Sequence, residues 1–427
     1  MSSPATEAIR FAGDVNIRRL EVVSSANFKV DMTNQLIGME IYEDMFSPFM
    51  TMAISVRESQ DFINALPLRG EEILNLEIAT PTLKKEDQVI KGRFYIYKLS
   101  DRQLLTDRNS AYTLYCISYE ALTDLNMKQS KGYSGNIGEM ALAFLQQEGF
   151  NTTKKTNIEA TKNGNKYVSN FWSPVKNLNF LTTKAISTTG SPSYVFFESR
   201  KGFNFVSLEY LYKQDIFQKF IKDNYVRDND KTVSYRNLDR DYQRITDFKV
   251  KVSYDALQVT NNGAYASRIY AYDLVKKKLF AKDYDALSNF SKTAHLNKNP
   301  LYTTRKPVSP ANMMFNEIRQ FGVHNGYQDV SNVATLQQRN SMLALLRSSV
   351  IEITVFGRTD YTVGQKVYVQ VPKPTIMTDK DTDGLDPKSG TLDKTYSGNY
   401  IVTAINHVIN RNSHTCLLEL SKESVLE

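Results

Sequence analysis

Two stretches of this chain carry one pattern at a constant offset of 303 residues, from Asn109 to Asn412. Asp107-Arg-Asn-Ser-Ala-Tyr-Thr-Leu-Tyr-Cys-Ile-Ser-Tyr-Glu120 is echoed by Asn410-Arg-Asn-Ser-His-Thr-Cys-Leu-Leu-Glu-Leu-Ser-Lys-Glu423. Arg108/Arg411, Asn109/Asn412, Ser110/Ser413, Leu114/Leu417, Ser118/Ser421 and Glu120/Glu423 are identical. Tyr115 and Ile117 match Leu418 and Leu420 in apolar phase. The runs before them follow the same order: Gly92 to Tyr97 against Gly398 to Thr403, and Gly70 with Ile73 to Pro81 against Gly364 with Val367 to Pro372. The last pair is one residue out of phase, which a β-bulge can absorb. Three elements in parallel order imply one small β-domain present twice, its copies split far apart.

The length of 427 residues agrees, since a domain takes about 150 and two to four are expected. Such a chain needs no disulfide or metal to hold it together. Tyr (25) and Phe (22) against a single Trp favour strands. The net charge of +7 is spread and forms no basic arm of the nucleic-acid-binding kind. No stretch approaches the roughly 20 apolar residues of a membrane span, and Met1 to Asp14 has no apolar core of a secretory signal. Cys116 and Cys416 sit in strand-like runs and are read as reduced, buried thiols.

Short alternating runs at Thr51 to Arg57, Ile73 to Ile78, Phe94 to Leu99 and Tyr112 to Tyr119 predict a barrel or sandwich, punctuated by the polar stretch Asp101 to Asn109. Ser134 to Gly149 then reads as a helix, with Ile137, Met140, Ala141, Phe144 and Leu145 on one face. A second helix begins at Ser173-Pro174, Ser as N-cap and Pro in the first turn. Tyr194 to Glu198 and Phe203 to Leu208 are strands joined by a turn at Arg200 to Gly202. Strands return at Ile245 to Tyr254 and Ala264 to Leu274. Tyr284 to about Met342 is an irregular excursion that overlaps a helix at Thr335 to Leu346. Four strands close the chain: Val350 to Phe356, Lys366 to Val371, Tyr400 to Ile409 and Thr415 to Leu420.

Chemistry is sparse. Phosphate-binding loops, dinucleotide fingerprints, zinc-protease helices and nucleophile elbows are missing from the sequence. His407 lies in an alternating strand and reads as a structural histidine; His414, beside a turn, reads as solvated. Glu71 and Glu72 are adjacent and point to opposite faces of a strand, a poor arrangement for acid–base work. The one metal-like pattern is Asp379, Asp381 and Asp383 followed by Gly384, the start of a calcium loop. Gly390 stands where the bidentate Glu belongs and no helix flanks the loop, so a solvated hairpin loop accounts for it better. No cofactor is expected. Lys276 to Lys278 is the densest basic run and reads as an exposed strand end.

Several ordered segments resemble the central baseplate hub protein of contractile-tailed bacteriophages, related in fold to the hub part of type VI secretion spikes. They are Phe49 to Pro81 with Leu66-Pro-Leu-Arg-Gly-Glu-Glu72, Ser118-Tyr-Glu-Ala-Leu122, Ser130-Lys-Gly-Tyr-Ser134, Trp172-Ser-Pro174 with Phe180-Leu181, Ser193 to Glu198, Gly202 to Ser207, Phe356-Gly357, Gly364, and Ser397 to Tyr400 with His407. The resemblance implies a mainly β fold with α+β insertions: two tail-tube-like antiparallel β-barrels plus inserted α/β lobes. The first barrel is expected at 1–125, an α/β domain at 126–235, and the second barrel at 236–285 and 346–427 with an inserted lobe at 286–345.

The resemblance further implies a non-enzymatic homotrimer. Its six similar barrels would join a hexameric tail tube to a trimeric central spike within the baseplate of the virion. The expected partners are the tail tube protein, the central spike protein and other baseplate proteins. Genomic DNA would pass through the channel without specific binding, and the chain, made in the host cytoplasm, would not insert in membranes. The rival readings are a tail-associated cell-wall-degrading enzyme and a plain tube or spike subunit.

Overall fold

The computed structural model describes residues 8–426 apart from 26, 60–62, 64–67, 84, 107–108, 148, 163, 223–237, 274–276, 302–311, 319–334 and 374–391. The first part of the chain is strands: β1 (Asn16–Val23), β2 (Lys29–Asp31), β3 (Leu36–Asp44), β4 (Thr51–Glu58), β5 (Ile73–Ala79), β6 (Ile90–Thr106) and β7 (Asn109–Ser118). In β7, Ser110, Tyr112, Leu114, Cys116 and Ser118 are buried and the residues between them half-buried. That period of two is a sheet with one face on a core. The polar stretch from Asp101, read as punctuation, instead continues β6 to Thr106. Its backbone pairs with β7, and register shifts after Ser100 and Leu104 absorb the irregular side chains.

A lobe follows: α1 (Tyr119–Asn126), β8 (Gly132–Asn136), α2 (Ile137–Gln146), β9 (Thr156–Ile158), β10 (Gly164–Val168), α3 (Pro174–Lys184), β11 (Tyr194–Ser199), β12 (Gly202–Ser207) and α4 (Leu208–Tyr212). α3 starts where the sequence predicts, with Ser173 Oγ accepting from the Lys176 N–H and Pro174 in the first turn. The apolar face of α2, including Ile137, Phe144 and Leu145, packs with Leu178, Leu181, Phe203 and Phe205 in a core of its own. β13 (Gln218–Ile221) returns to the main sheet.

The remainder comprises α5 (Leu238–Gln243), β14 (Ile245–Val252), α6 (Ala256–Asn261), β15 (Ala266–Asp273), β16 (Lys278–Asp285), α7 (Ala286–Phe290), β17 (Asn299–Pro300), β18 (Asn312–Ile318), α8 (Leu336–Leu346), β19 (Ser349–Phe356), β20 (Lys366–Gln370), β21 (Gly398–Asn410), β22 (His414–Lys422) and β23 (Ser424–Val425). Of the segment 236–285 expected in the second barrel, β14 joins the main sheet. β15 and β16 stand in a three-stranded sheet of their own, because β18 from the excursion takes the other edge of β15 in parallel.

The main sheet runs β14-β19-β22-β21-β3-β4-β7-β6-β5-β1-β2, with β20 on β21 and β13 on β20. The four-strand order β4-β7-β6-β5 recurs as β19-β22-β21-β20, in the same chain order and antiparallel throughout. Each set encloses its own apolar cluster. The duplication is therefore present in the topology, but its register differs by one from the sequence match. β6 is bulged after the pair Ile96–Cys116, and β21 after the pair Val402–Leu420. Equating the bulges pairs Cys116 with Leu420 and Leu114 with Leu418, an offset of 304 residues. At 303, Leu114 (1% exposed) would match Leu417, which faces away from the core. A slip of one residue turns every side chain to the other face.

Lys422, on β22, is 0% exposed. Its Nζ donates to the carbonyls of Thr395 (2.6 Å) and Ser397 (3.2 Å) and lies 4.7 Å from the Tyr400 ring centroid. Burial pulls its pKa from 10.5 down to about 7, against the attraction of Asp393 and Glu423. Between those two values the unfolded chain binds the proton and the folded chain does not. Stability should therefore rise as pH climbs from 7 to 10.5, by at most about 1.4 kcal/mol per pH unit. In urea titrations Lys422→Met should flatten this rise and gain stability at neutral pH. An equally steep rise in the variant would refute the assignment.

Candidate functional site

The two duplicated sets meet where β3 pairs with β21, Ala404 to Asn410 running antiparallel to Asp44 to Gly38. Paired residues share a face, so the hairpin β21–β22 brings Cys416 opposite His407, with His414 two residues before Cys416 on the same side. His407 Nδ1 lies 3.0 Å from His414 Nε2, and Cys416 Sγ is 3.3 Å from both. All three residues are buried, and so is Glu43 on β3, whose Oε1 is 3.4 Å from His407 Nε2. The other Glu43 oxygen accepts from Thr362 Oγ1 (2.5 Å) and from the Arg200 N–H (3.2 Å). Burial alone would raise the Glu43 pKa; His407, Thr362 and Arg200 outweigh it and hold the carboxylate ionised. Burial pushes the Cys416 thiol up, and burial together with His407 drives His414 far down.

Further bonds tie this seam. Thr80 and Thr359 exchange bonds, each backbone N–H donating to the other's hydroxyl at 3.0 and 2.9 Å. Arg200, in the β11–β12 turn, donates to the carbonyls of Asp87 in the first set and of Asp360 and Tyr361 in the second. One guanidinium thus pins the lobe across both sets. A second buried polar group anchors the lobe to β7. Lys154 Nζ is 2.6 Å from Glu120 Oε2, 2.5 Å from Glu198 Oε1 and 2.6 Å from Ser118 Oγ. Desolvation disfavours the ammonium, but the two carboxylates more than restore it and raise its pKa. Burial raises Glu198, whereas Lys154 and two hydroxyls overcome burial at Glu120 and lower it. At the other end of the chain, Glu423 accepts from the Leu296 N–H (2.9 Å) and faces His295 Nδ1 at 3.0 Å.

Of the strand edges that stay open among the described residues, two correspond to the strands of this seam. β14 pairs with β19 alone. β6 beyond Ile96 pairs with β7 alone, whereas the matching half of β21 is covered by β3. Exposed apolar side chains mark both edges: Val250 on β14, and Tyr97, Leu104 and Leu105 on β6.

The candidate calcium residues Asp379, Asp381 and Asp383 lie outside the described residues, as does Lys276. His414 is corrected: it is 1% exposed, because Gly13 and Gly357 from distant segments hydrogen-bond its backbone and cover it. Cys116 and Cys416 are free and buried, as read. Glu72 is buried and accepts from the N–H groups of Arg69, Gly70 and Glu71, so it caps a turn. The seam cluster was missed in the sequence. A signal existed: in a hairpin whose tip is 410–413, residues 407 and 416 must face each other.

No family model matches the chain. It is 20% identical over 420 residues to a probable baseplate hub protein, gp334, of Vibrio phage KVP40, covering 94% of this chain and 93% of that one. Among solved structures it is similar to a tail protein from Neisseria meningitidis MC58, with TM-score 0.52 and 9% identity over 95% of this chain and 96% of the other. It is also similar to the 43 kDa tail protein of prophage MuSo2 from Shewanella oneidensis, with TM-score 0.53 and 7% identity over 96% and 100%. The expected fold, mainly β with tail-tube-like domains and inserted α/β lobes, is the fold these structures share. The proteins it is similar to are thus a probable baseplate hub protein and two tail proteins.

Removing one partner of a buried ion group leaves an uncompensated charge and typically costs about 3–5 kcal/mol. Lys154→Met should destabilise the chain by that order in urea unfolding. Adding Glu120→Gln should recover part of the loss, because one of the two stranded carboxylates is then gone. A single variant as stable as the parent would show that Lys154 does not hold the lobe.

Proposed function

We propose that this chain is the structural hub of a phage tail baseplate. It forms a homotrimeric, pseudo-hexameric ring that joins the hexameric tail tube to the trimeric spike and acts without catalysis. The observation that carries this reading is the β3–β21 seam seen beside two open edges. By the duplication, β14 stands to the second set as β3 stands to the first, and the open half of β6 corresponds to the half of β21 that β3 covers. Within one chain those counterparts meet at the seam. Between chains, β14 of one copy fits the open half of β6 of the next in the same antiparallel manner. Exposed edges template pairing with another chain, and a heterologous contact that closes makes a ring. Three copies then present six similar β units. The domain partition at 1–125, 126–235, 236–285, 286–345 and 346–427 is part of this reading, with 266–285 assigned to the inserted lobe. The virion tail is its location.

Cysteines placed by Val250→Cys and Asp101→Cys sit near each other across the proposed contact, whereas within one chain they stand on strands seven places apart in the main sheet. Mild oxidation of the double variant should yield a disulfide-linked trimer on non-reducing gels, and native mass spectrometry of the parent chain should give the trimer mass. A chain that stays monomeric at high concentration and does not cross-link would overturn the ring.

A further inference from the structure

We infer that His407, His414 and Cys416 form a binding site for one zinc-class transition-metal ion. The three potential ligand atoms, two imidazole nitrogens and a sulfur, lie 3.0–3.3 Å from one another in the core of the seam. An ion about 2.0–2.1 Å from each nitrogen and about 2.3 Å from the sulfur fits over that triangle. Imidazole and thiolate donors are the set that selects zinc or copper over magnesium or calcium. Among the described residues no other group of His, Cys, Asp and Glu converges in this way.

The surroundings hold the ligands in place. Glu43 faces the far nitrogen of His407, Nε2, which has no closer partner. The carboxylate thus sits on the side of the ring away from the cluster, where outer carboxylates orient metal-bound histidines, and Nδ1 points toward the cluster. The His414 ring packs against Gly357, where a Cβ would come within 2.2 Å of it. The residues are 0–1% exposed, so an ion would enter as the chain folds and not afterwards. Bound there, it would join both strands of the β21–β22 hairpin and, through Glu43, hold β3 against them. This inference is independent of the ring proposed above.

The test uses the full chain, unfolded in denaturant with chelator and refolded with zinc sulfate, with cobalt chloride, or with neither. After gel filtration, one zinc per chain should remain and the melting temperature should exceed that of the metal-free sample. The cobalt form should show a thiolate-to-metal charge-transfer band. Cys416→Ser, a near-isosteric change, and His414→Gln should lose the retained ion and the band. Parent protein that retains no more zinc than Cys416→Ser would leave the trio as a hydrogen-bonded core group and overturn the site. Should the variants fail to fold, the parent's cobalt spectrum decides alone: without a thiolate band the inference is wrong.

Discussion

The backbone pairing of β3 with β21 is the contact on which the rest of the molecule depends. It turns two separate four-strand sets into one continuous sheet. It also covers an edge of each that would otherwise be a template for aggregation. Side chains make the seam specific. The Thr80–Thr359 exchange and the carbonyl bonds of Arg200 cannot form in a slipped register. Ile409, a second-set residue, packs into the first core, so the two cores share a wall.

Burying Glu43 in that wall costs free energy, since desolvation alone disfavours its charge. The cost is offset only when His407, Thr362 and Arg200 all arrive, and they come from three distant parts of the chain. A buried polar group of this kind contributes little net stability but penalises alternative packings. The same logic holds where Lys154 meets Glu120 and Glu198 inside the lobe: Ser118 at the end of β7 and the Met50 N–H bond to this group and fix where the lobe sits on the first set.

Local rules were legible in the sequence. Ser173-Pro174 opens a helix because cap and proline act within one turn. The duplication was legible as order but not as register. Asn412 and Ser413 lie in the tip of the second hairpin, whereas Asn109 and Ser110 already belong to β7. The second tip is one residue longer, so matching the shared Arg-Asn-Ser misaligns the strands behind it by one. His414 was misread for a different reason. Its neighbours in sequence form a turn, but its cover comes from Gly13 and Gly357, which no local pattern links to it. Glu43 and His407 are likewise joined only by the topology.

The corrected register also shows how the copies diverged. Tyr112 and Ser110 in the first set stand where Cys416 and His414 stand in the second. The first set fills these positions with an aromatic ring and a hydroxyl, the second with a thiol and an imidazole beside an ionised carboxylate. The polar cluster therefore belongs to the seam inside the chain and has no counterpart on the open half of β6. In a ring built from such chains, two chemically different seams would alternate. The one inside the chain is locked by buried charge. The other is formed by strand edges that carry exposed apolar side chains and can wait for a second copy. In such a ring the seam within the chain would close first, because without it Glu43 lacks His407 and Thr362 and β3 itself remains an open edge.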